Sequence, residues 1–488
     1  MNINQPSGEP TDNSADHPLV SIRNFSIYSI LSIFQKASTF LLLPVYTYYL
    51  SPEDFGIVSV ATAVATLVPP LVMLNTSEYV YFTSLKRDPG WERGVSSIVG
   101  FQVMVIAGVM ALGFAGIGLL PDSFAVFGVP FFPYLFFSIA FAVLSVIYTS
   151  YSLMLQGLNE VKRFSTLNIS FSILFAALVI ILMTVFDLKA MSFIYANLVL
   201  YAGFGSFILW KVWRRFGLTL NGSEIRKGLG YAAPLVPHTL SHWGKGYLDR
   251  VLLSSFISTT AAGLFHFAST IGSILIVGLE AFVKVNNPYF YANFEDLSKR
   301  DSIVSRLHLA AAFFSLIGIA LSFFSHEWMW FFDITYSESY LLLPFLVTGN
   351  LVYLIYLGVV NVLFVKKKTL IISMLTFSSG IISSLGSYLL IRNFGLNGAA
   401  YSHVFSNVTI SLLVFAGVQR FDFVPWKLYR LLFMLALPLA GILINTYSFG
   451  IMTKILISLV CMTAVLYTVR SEAGKVLRQL GINVRFLA

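Results

Sequence analysis

Long uncharged apolar runs, recurring from residue 22 to residue 469, decide what this chain can fold into. Runs such as 98–120 and 131–155 each exceed the roughly 20 residues that a helix needs to cross a bilayer. Of the 488 residues 57% are hydrophobic and only 11% charged, whereas an ordinary soluble domain carries about a quarter charged residues. So few charges cannot cover that much apolar surface in water. The chain is therefore a polytopic membrane protein, and water-soluble enzymes are excluded. The spans are helices, because the runs are continuously apolar and barrel strands alternate in polarity over about ten residues.

Runs bounded by charges, Gly or Pro give fourteen predicted spans, at 22–49, 56–82, 94–118, 130–154, 165–186, 190–212, 229–257, 262–287, 303–325, 338–364, 369–391, 396–418, 426–448 and 450–469. The basic residues test that count, since cytoplasmic loops collect Lys and Arg. With the N-terminus inside, the cytoplasmic segments hold clusters such as Lys86, Arg87 and Arg93, the run 366–368, and Arg470, Lys475, Arg478 and Arg485. Of the 31 Lys and Arg, only Lys189, Arg392 and Lys454 fall on the opposite side, and Lys36, Lys245, Arg250 and Lys284 fall inside spans. An error of one span would scramble this bias, so both termini are expected in the cytoplasm.

The net charge of +9 marks topology rather than a nucleic-acid surface, because the basic residues are scattered over many segments. One cysteine, Cys461 in an apolar run, leaves no disulfide framework or cysteine metal site, and no cofactor is expected. Residues 1–20 are polar and acidic without a basic leader region, which predicts a short disordered cytoplasmic tail. The longest outer connection is about 325–337, too short for the external catalytic domain of a membrane glycosyltransferase, polymerase or ligase. A Gly-rich phosphate loop is also absent from the sequence.

The chain repeats itself. One offset places Ser51 on Ser258, Gly56 on Gly263 and Ala61 on Ala268; a single residue more places Ser165 on Ser373, Ser170 on Ser378 and Phe186 on Phe394. Span 1 thus maps onto span 7 and span 5 onto span 11. An even number of spans per repeat gives two halves of the same orientation, as in transporters built from parallel repeats. The expected organisation is a six-helix lobe at 21–213, a linker at 214–228, a second six-helix lobe at 229–420, two further helices at 421–470 and a cytoplasmic tail at 471–488.

Seven Lys, Arg, Asp and Glu residues lie within spans: Lys36, Glu78, Lys245, Asp249, Arg250, Glu280 and Lys284. All fall in spans 1, 2, 7 and 8. A charge near the bilayer centre costs at least about 2.5–3.5 kcal/mol, so it must face a cavity or a partner. His238, His242, Lys245 and Asp249 share one stripe of span 7 at helical spacing. Span 8 carries a second stripe, with His266, Glu280 and Lys284. Lys36 maps to within two residues of Lys245, so these two cations are expected in symmetric places. Two readings stand side by side for several of them. Lys245–Asp249 and Glu280–Lys284 have the spacing of self-neutralising helix pairs, Lys284 and Glu78 lie near helix ends where they can reach water, and the histidines either rest in a core or titrate during transport. Four cations against three acids favour an anionic ligand. Pro44, Pro69, Pro70, Pro234, Pro237 and Pro344 inside spans are candidate bending points.

The run Leu43-Pro-Val-Tyr-Thr-Tyr-Tyr-Leu-Ser-Pro-Glu-Asp-Phe-Gly56, Asp249-Arg250-Val-Leu-Leu, and Phe394-Gly-Leu-Asn-Gly-Ala-Ala400 resemble signatures of Wzx-like oligosaccharide flippases. These form the polysaccharide transport branch of the multidrug/oligosaccharidyl-lipid/polysaccharide (MOP) exporter superfamily. The likeness covers about residues 20–420. It implies an all-α, MATE-like fold of two lobes around a charged cavity, and export of an undecaprenyl-pyrophosphate-linked oligosaccharide across the bacterial inner membrane. By that resemblance Lys36, Lys245, Arg250 and Lys284 meet the pyrophosphate and sugar acids, and Asp249, Glu280 and Glu78 are candidates for coupling to H+ or Na+, with His238 and His242 beside them. A polysaccharide polymerase and a chain-length regulator are the partners it implies, with O-antigen, capsule or exopolysaccharide as the product. Two departures stand out: acidic Glu78 occupies a stretch that is more often basic, and the first half reads Phe186-Asp-Leu-Lys-Ala190 where the second has its Gly-rich turn. A multidrug or metabolite antiporter and a peptidoglycan-precursor flippase are the alternatives on the same fold.

Overall fold

The computed structural model describes residues 40–121, 123–422 and 424–479. The N-terminal tail, most of span 1 with Lys36, and residues 480–488 lie outside them. Helix α1 (Leu43–Tyr49) ends at Leu50, and α2 (Pro52–Val72) starts at once. Ser51 caps α2: its hydroxyl accepts from the Asp54 amide while the Asp54 carboxylate accepts from the Ser51 amide, and Pro52 opens the first turn without losing a bond.

Predicted span 2 is not one helix. Pro69 and Pro70 lie near the end of α2, and Leu74 and Asn75 then take left-handed backbone angles (φ 50 and 58) before α3 (Thr76–Lys86) resumes. Removing two amide donors weakens the last turns of α2, and Asn tolerates the left-handed region. Next come α4 (Trp91–Ile117), a two-residue hairpin pairing Ala125–Val126 with Val129–Pro130, and helices α5 (Phe136–Gly157), α6 (Val161–Thr184) and α7 (Met191–Phe216).

The second half opens with α8 (Gly222–Ala232), α9 (Val236–Phe256) and α10 (Thr259–Asn293). The expected linker therefore already holds the start of a helix, and span 7 is broken at Ala233–Leu235, where Pro234 sits. Pro44, Pro237 and Pro344 occupy first-turn positions, where a missing amide costs nothing, so of the six candidate prolines Pro69, Pro70 and Pro234 mark breaks. At 35 residues, α10 is about 52 Å long and outreaches the roughly 30 Å hydrocarbon core. Ser258 caps it through the Ala261 amide, as its repeat partner Ser51 caps α2.

Helices α11 (Arg300–Phe323), α12 (Leu343–Val359) and α13 (Thr369–Gln419) follow. The last is 51 residues long and contains spans 11 and 12. The chain reverses inside it at Gly395 (φ 58, ψ −131), a backbone state only glycine adopts without strain. The C-terminal elements are α14 (Leu428–Ala436), α15 (Ala440–Thr446), α16 (Ile451–Thr468) and α17 (Arg470–Gln479). Part of the expected cytoplasmic tail is thus helical: Glu472 of α17 is buried between Arg430 (2.9 Å) and His308 (3.6 Å).

Among the described residues, eleven helical segments are long and apolar enough to span a bilayer. Counting α13 as two, adding the more polar α9 and the described end of span 1, they match the fourteen predicted spans. The three largest of five hydrophobic cores among the described residues organise them. One lies among α10–α16 and one among α3–α7; the third joins the halves, with Leu43, Tyr46, Leu50 and Phe55 packed against Leu264, Phe267, Tyr336, Ile391 and Ala399.

Candidate functional site

The halves meet where α2 runs along α10 and α9. A methyl group built on Gly56 would overlap the carbonyl oxygen of Thr259, and one on Gly263 would overlap that of Pro52. Thr259 is the repeat partner of Pro52, and Gly263 that of Gly56. The weak sequence repeat is therefore a pseudo-symmetric helix crossing, in which small residues let two backbones touch. This crossing lies at the serine-capped starts of α2 and α10, the end with few basic residues. Tyr336 reinforces it by donating from its hydroxyl to the Leu50 carbonyl (2.9 Å), and the Phe55 and His266 rings stack at 4.8 Å. Toward the basic end α2 and the break after it stay tied to α9, since Trp243 Nε1 donates to the Ala63 carbonyl (2.8 Å) and Asn75 Nδ2 to Thr239 Oγ1 (2.9 Å). Beyond the break, α3 is held by α4, α5 and α8.

The in-span charges are arranged along this seam. Arg250 of α9 donates through Nη1 to the Gly246 carbonyl (2.7 Å) and through Nη2 to Ser269 Oγ on α10 (3.1 Å). Its Nε is buried and unbonded, and among the described residues no carboxylate lies at ion-pair distance. Asp249, the adjacent residue, is buried and turned toward α13, accepting from Ser402 Oγ (3.0 Å). One helical turn before Asp249, Lys245 holds its Nζ 4.1 Å from the centre of the Tyr353 ring on α12. The Lys245–Asp249 pair suggested by their spacing does not form: a serine satisfies the carboxylate, and the ammonium faces a π cloud. Glu280 and Lys284 are half-buried on α10, with Glu280 in electrostatic reach of Tyr353. His238 and His242 are exposed on the first turns of α9, their rings perpendicular at 4.6 Å.

Glu78 lies elsewhere. It is exposed on the first turn of α3 and lines a cavity of about 130 Å³ with Pro69, Asn75, Ser145 and Thr149, within the first half. A polar network that the search for charged residues passed over sits behind the seam. His403 Nε2 donates to Asn350 Oδ1 (2.9 Å), and Asn350 Nδ2 donates to the Gly272 carbonyl (2.9 Å), which joins α13, α12 and α10. Mid-span Asn and His residues were the available signal.

Comparison with known proteins agrees with this architecture. The polysaccharide biosynthesis protein family matches residues 21–294, more than half of the chain. This chain belongs to that family. A protein of the Lsg locus of Haemophilus influenzae is 25% identical over 381 residues, covering 73% of this chain and 88% of that protein. Among solved structures, the lipid II flippase MurJ in an inward closed conformation has a TM-score of 0.64 at 15% identity, covering 95% of this chain and 100% of that one. A MATE transporter in its straight conformation has a TM-score of 0.51 at 15% identity, covering 82% and 95%. The fold is thus the all-α, multi-pass fold of the MOP transporters.

Proposed function

We propose that this protein is a flippase that moves an undecaprenyl-pyrophosphate-linked oligosaccharide from the cytoplasmic to the periplasmic leaflet of the bacterial inner membrane. It would serve surface polysaccharide assembly by alternating access coupled to H+ or Na+. The observation that carries this reading is Arg250: a guanidinium at the seam between the halves, with a buried Nε left unbonded and only neutral partners. A buried cation without an acid costs several kcal/mol, and a pyrophosphate supplies the missing charge with oxygens suited to a guanidinium fork. Lys245, held by a ring rather than a carboxylate, supplies a second positive group, and Lys36 and Lys284 are the remaining cations of the set. Asp249 is the first candidate for the coupling carboxylate, because its bond to Ser402 is available to both its protonated and its ionised form; Glu280, Glu78, His238 and His242 are the others. With the basic loops in the cytoplasm, the Gly56–Gly263 crossing closes the outer end, and the charges are loaded from the inner leaflet.

The test is to delete the protein and locate the lipid-linked intermediates. Complete oligosaccharide units held on the cytoplasmic leaflet, with drug sensitivity unchanged, are the expected result. Normal glycan export with altered resistance to cationic compounds would replace the reading with a cation antiporter. Arrest of peptidoglycan synthesis would replace it with a peptidoglycan-precursor flippase.

A further inference from the structure

A second cationic site lies away from the seam. Tyr151 of α5, Arg163 of α6, and Trp210, Lys211, Arg214, Arg215 and Phe216 of α7 surround a cavity of about 330 Å³ at the basic end of the first half. No acidic residue lines it. Glu160 pairs with Arg163 at its edge (2.7 Å), and among the described residues Lys211, Arg214 and Arg215 have no carboxylate at ion-pair distance. Aromatic rings hold them instead: Lys211 Nζ lies 4.6 Å from the Phe207 ring, the Arg214 guanidinium 4.8 Å from Trp210, and that of Arg215 5.0 Å from Phe216. Trp213, Phe207 and Trp210 are half-exposed beside it, as the aromatic belt of a membrane interface is.

Loop arginines that only set topology need no shaped surroundings. Here four cations converge on one concavity whose size is that of a small-ligand pocket, three of them (Lys211, Arg214 and Arg215) on aromatic seats that fix the charges without neutralising them. We propose that this cavity binds the phosphate headgroup of an anionic phospholipid of the inner leaflet, as a resident lipid. The alternative source of the same chemistry is the pyrophosphate of the transported lipid. Position favours the resident lipid, because the lining comes from α5, α6 and α7 alone, and the most extensive contacts with the second half are made by α2, α3 and α4, with α1 beside them.

The test uses the full chain in mild detergent, titrated with phosphatidylglycerol, cardiolipin or phosphatidylcholine and read by native mass spectrometry. Wild type should retain one anionic lipid and no phosphatidylcholine. Lys211→Ala/Arg214→Ala/Arg215→Ala should weaken that binding on the order of 100-fold, about fivefold for each of the three charges near the membrane surface. Trp210→Ala/Phe216→Ala keeps every charge, and so the topology signal, and should weaken it roughly tenfold by removing two cation–π seats. Equal retention of phosphatidylcholine, or unchanged affinity in both variants, overturns the proposal. Displacement of phosphatidylglycerol by equimolar farnesyl pyrophosphate also overturns it, and assigns the cavity to the cargo.

Discussion

Gly56→Ala tests the proposed outer closure at the Gly56–Gly263 crossing. The new methyl carbon would lie 2.8 Å from the Thr259 carbonyl carbon and 3.0 Å from its Cγ2; in Gly263→Ala it would lie 2.8 Å from the Pro52 carbonyl carbon. Carbon atoms pack best at about 3.5–4.0 Å, so the helices must part by roughly 1 Å. Such misfits cost about 1–3 kcal/mol. The strain exists only while the outer ends are packed, so it shifts the population away from the outer-closed state by about 5- to 150-fold. One separation relieves both overlaps, and the double variant should therefore cost about as much as the worse single one rather than their sum. The assay uses Ser59→Cys, a fully buried position one turn along the same face of α2, in a Cys461→Ala background. An impermeant maleimide added from the periplasmic side should label it at least fivefold faster when Gly56 is Ala. An unchanged labelling rate, together with additive destabilisation in the double variant, would refute the crossing as the outer closure.

Further expectations concern other contacts. Lys454 of α16 is buried, with its Nζ 2.9 Å from Glu327 and 3.0 Å from Asn445; Lys454→Met should destabilise the detergent-solubilised protein by about 3 kcal/mol in thermal unfolding, and adding Glu327→Leu should recover most of it. Asp422 receives a bidentate pair from Arg300 (2.7 and 2.8 Å) and lies 3.3 Å from Lys366. Burial pushes its carboxyl up, but Arg300 and Lys366 outweigh this and hold it below the ordinary carboxylate value. The wild-type advantage in Tm over Asp422→Asn, worth about 2 kcal/mol, should be complete above pH ~4 and vanish as pH falls through the lowered value; an advantage that grows in acid contradicts the pairing. At the seam, Tyr353→Phe should preserve glycan export, and Tyr353→Leu should reduce it by about 2- to 30-fold through loss of the Lys245 seat.

The spans were legible because each apolar run is a local property, and the Gly56/Gly263 coincidence became a contact because both glycines answer one steric demand. What the sequence hid depends on distant partners. The i,i+4 spacing of Lys245 and Asp249 suggested mutual neutralisation, yet Ser402, 153 residues away, takes the carboxylate. Lys454 counted as an outer-side cation, whereas it is the buried partner of Glu327, 127 residues earlier. The polar segment after residue 470 reads as a tail until Glu472 finds Arg430 and His308. The break at Leu74–Asn75 follows two prolines visible in the sequence, but α3 beyond it packs on α5 and α8, distant in the chain. His403 and Asn350 carry no formal charge, so a search for the cost of buried charge does not find them.

In the proposed function the cations of the seam carry a pyrophosphate-linked lipid across the bilayer. The direct measurement is transbilayer movement of a lipid-linked oligosaccharide in proteoliposomes containing the purified wild-type protein or Arg250→Ala, each checked for thermal stability. Movement with wild type and its loss by 100-fold or more with Arg250→Ala, at about 2.7 kcal/mol, is the predicted result. Equal movement with both proteins, or none with wild type under either an H+ or a Na+ gradient, would contradict it.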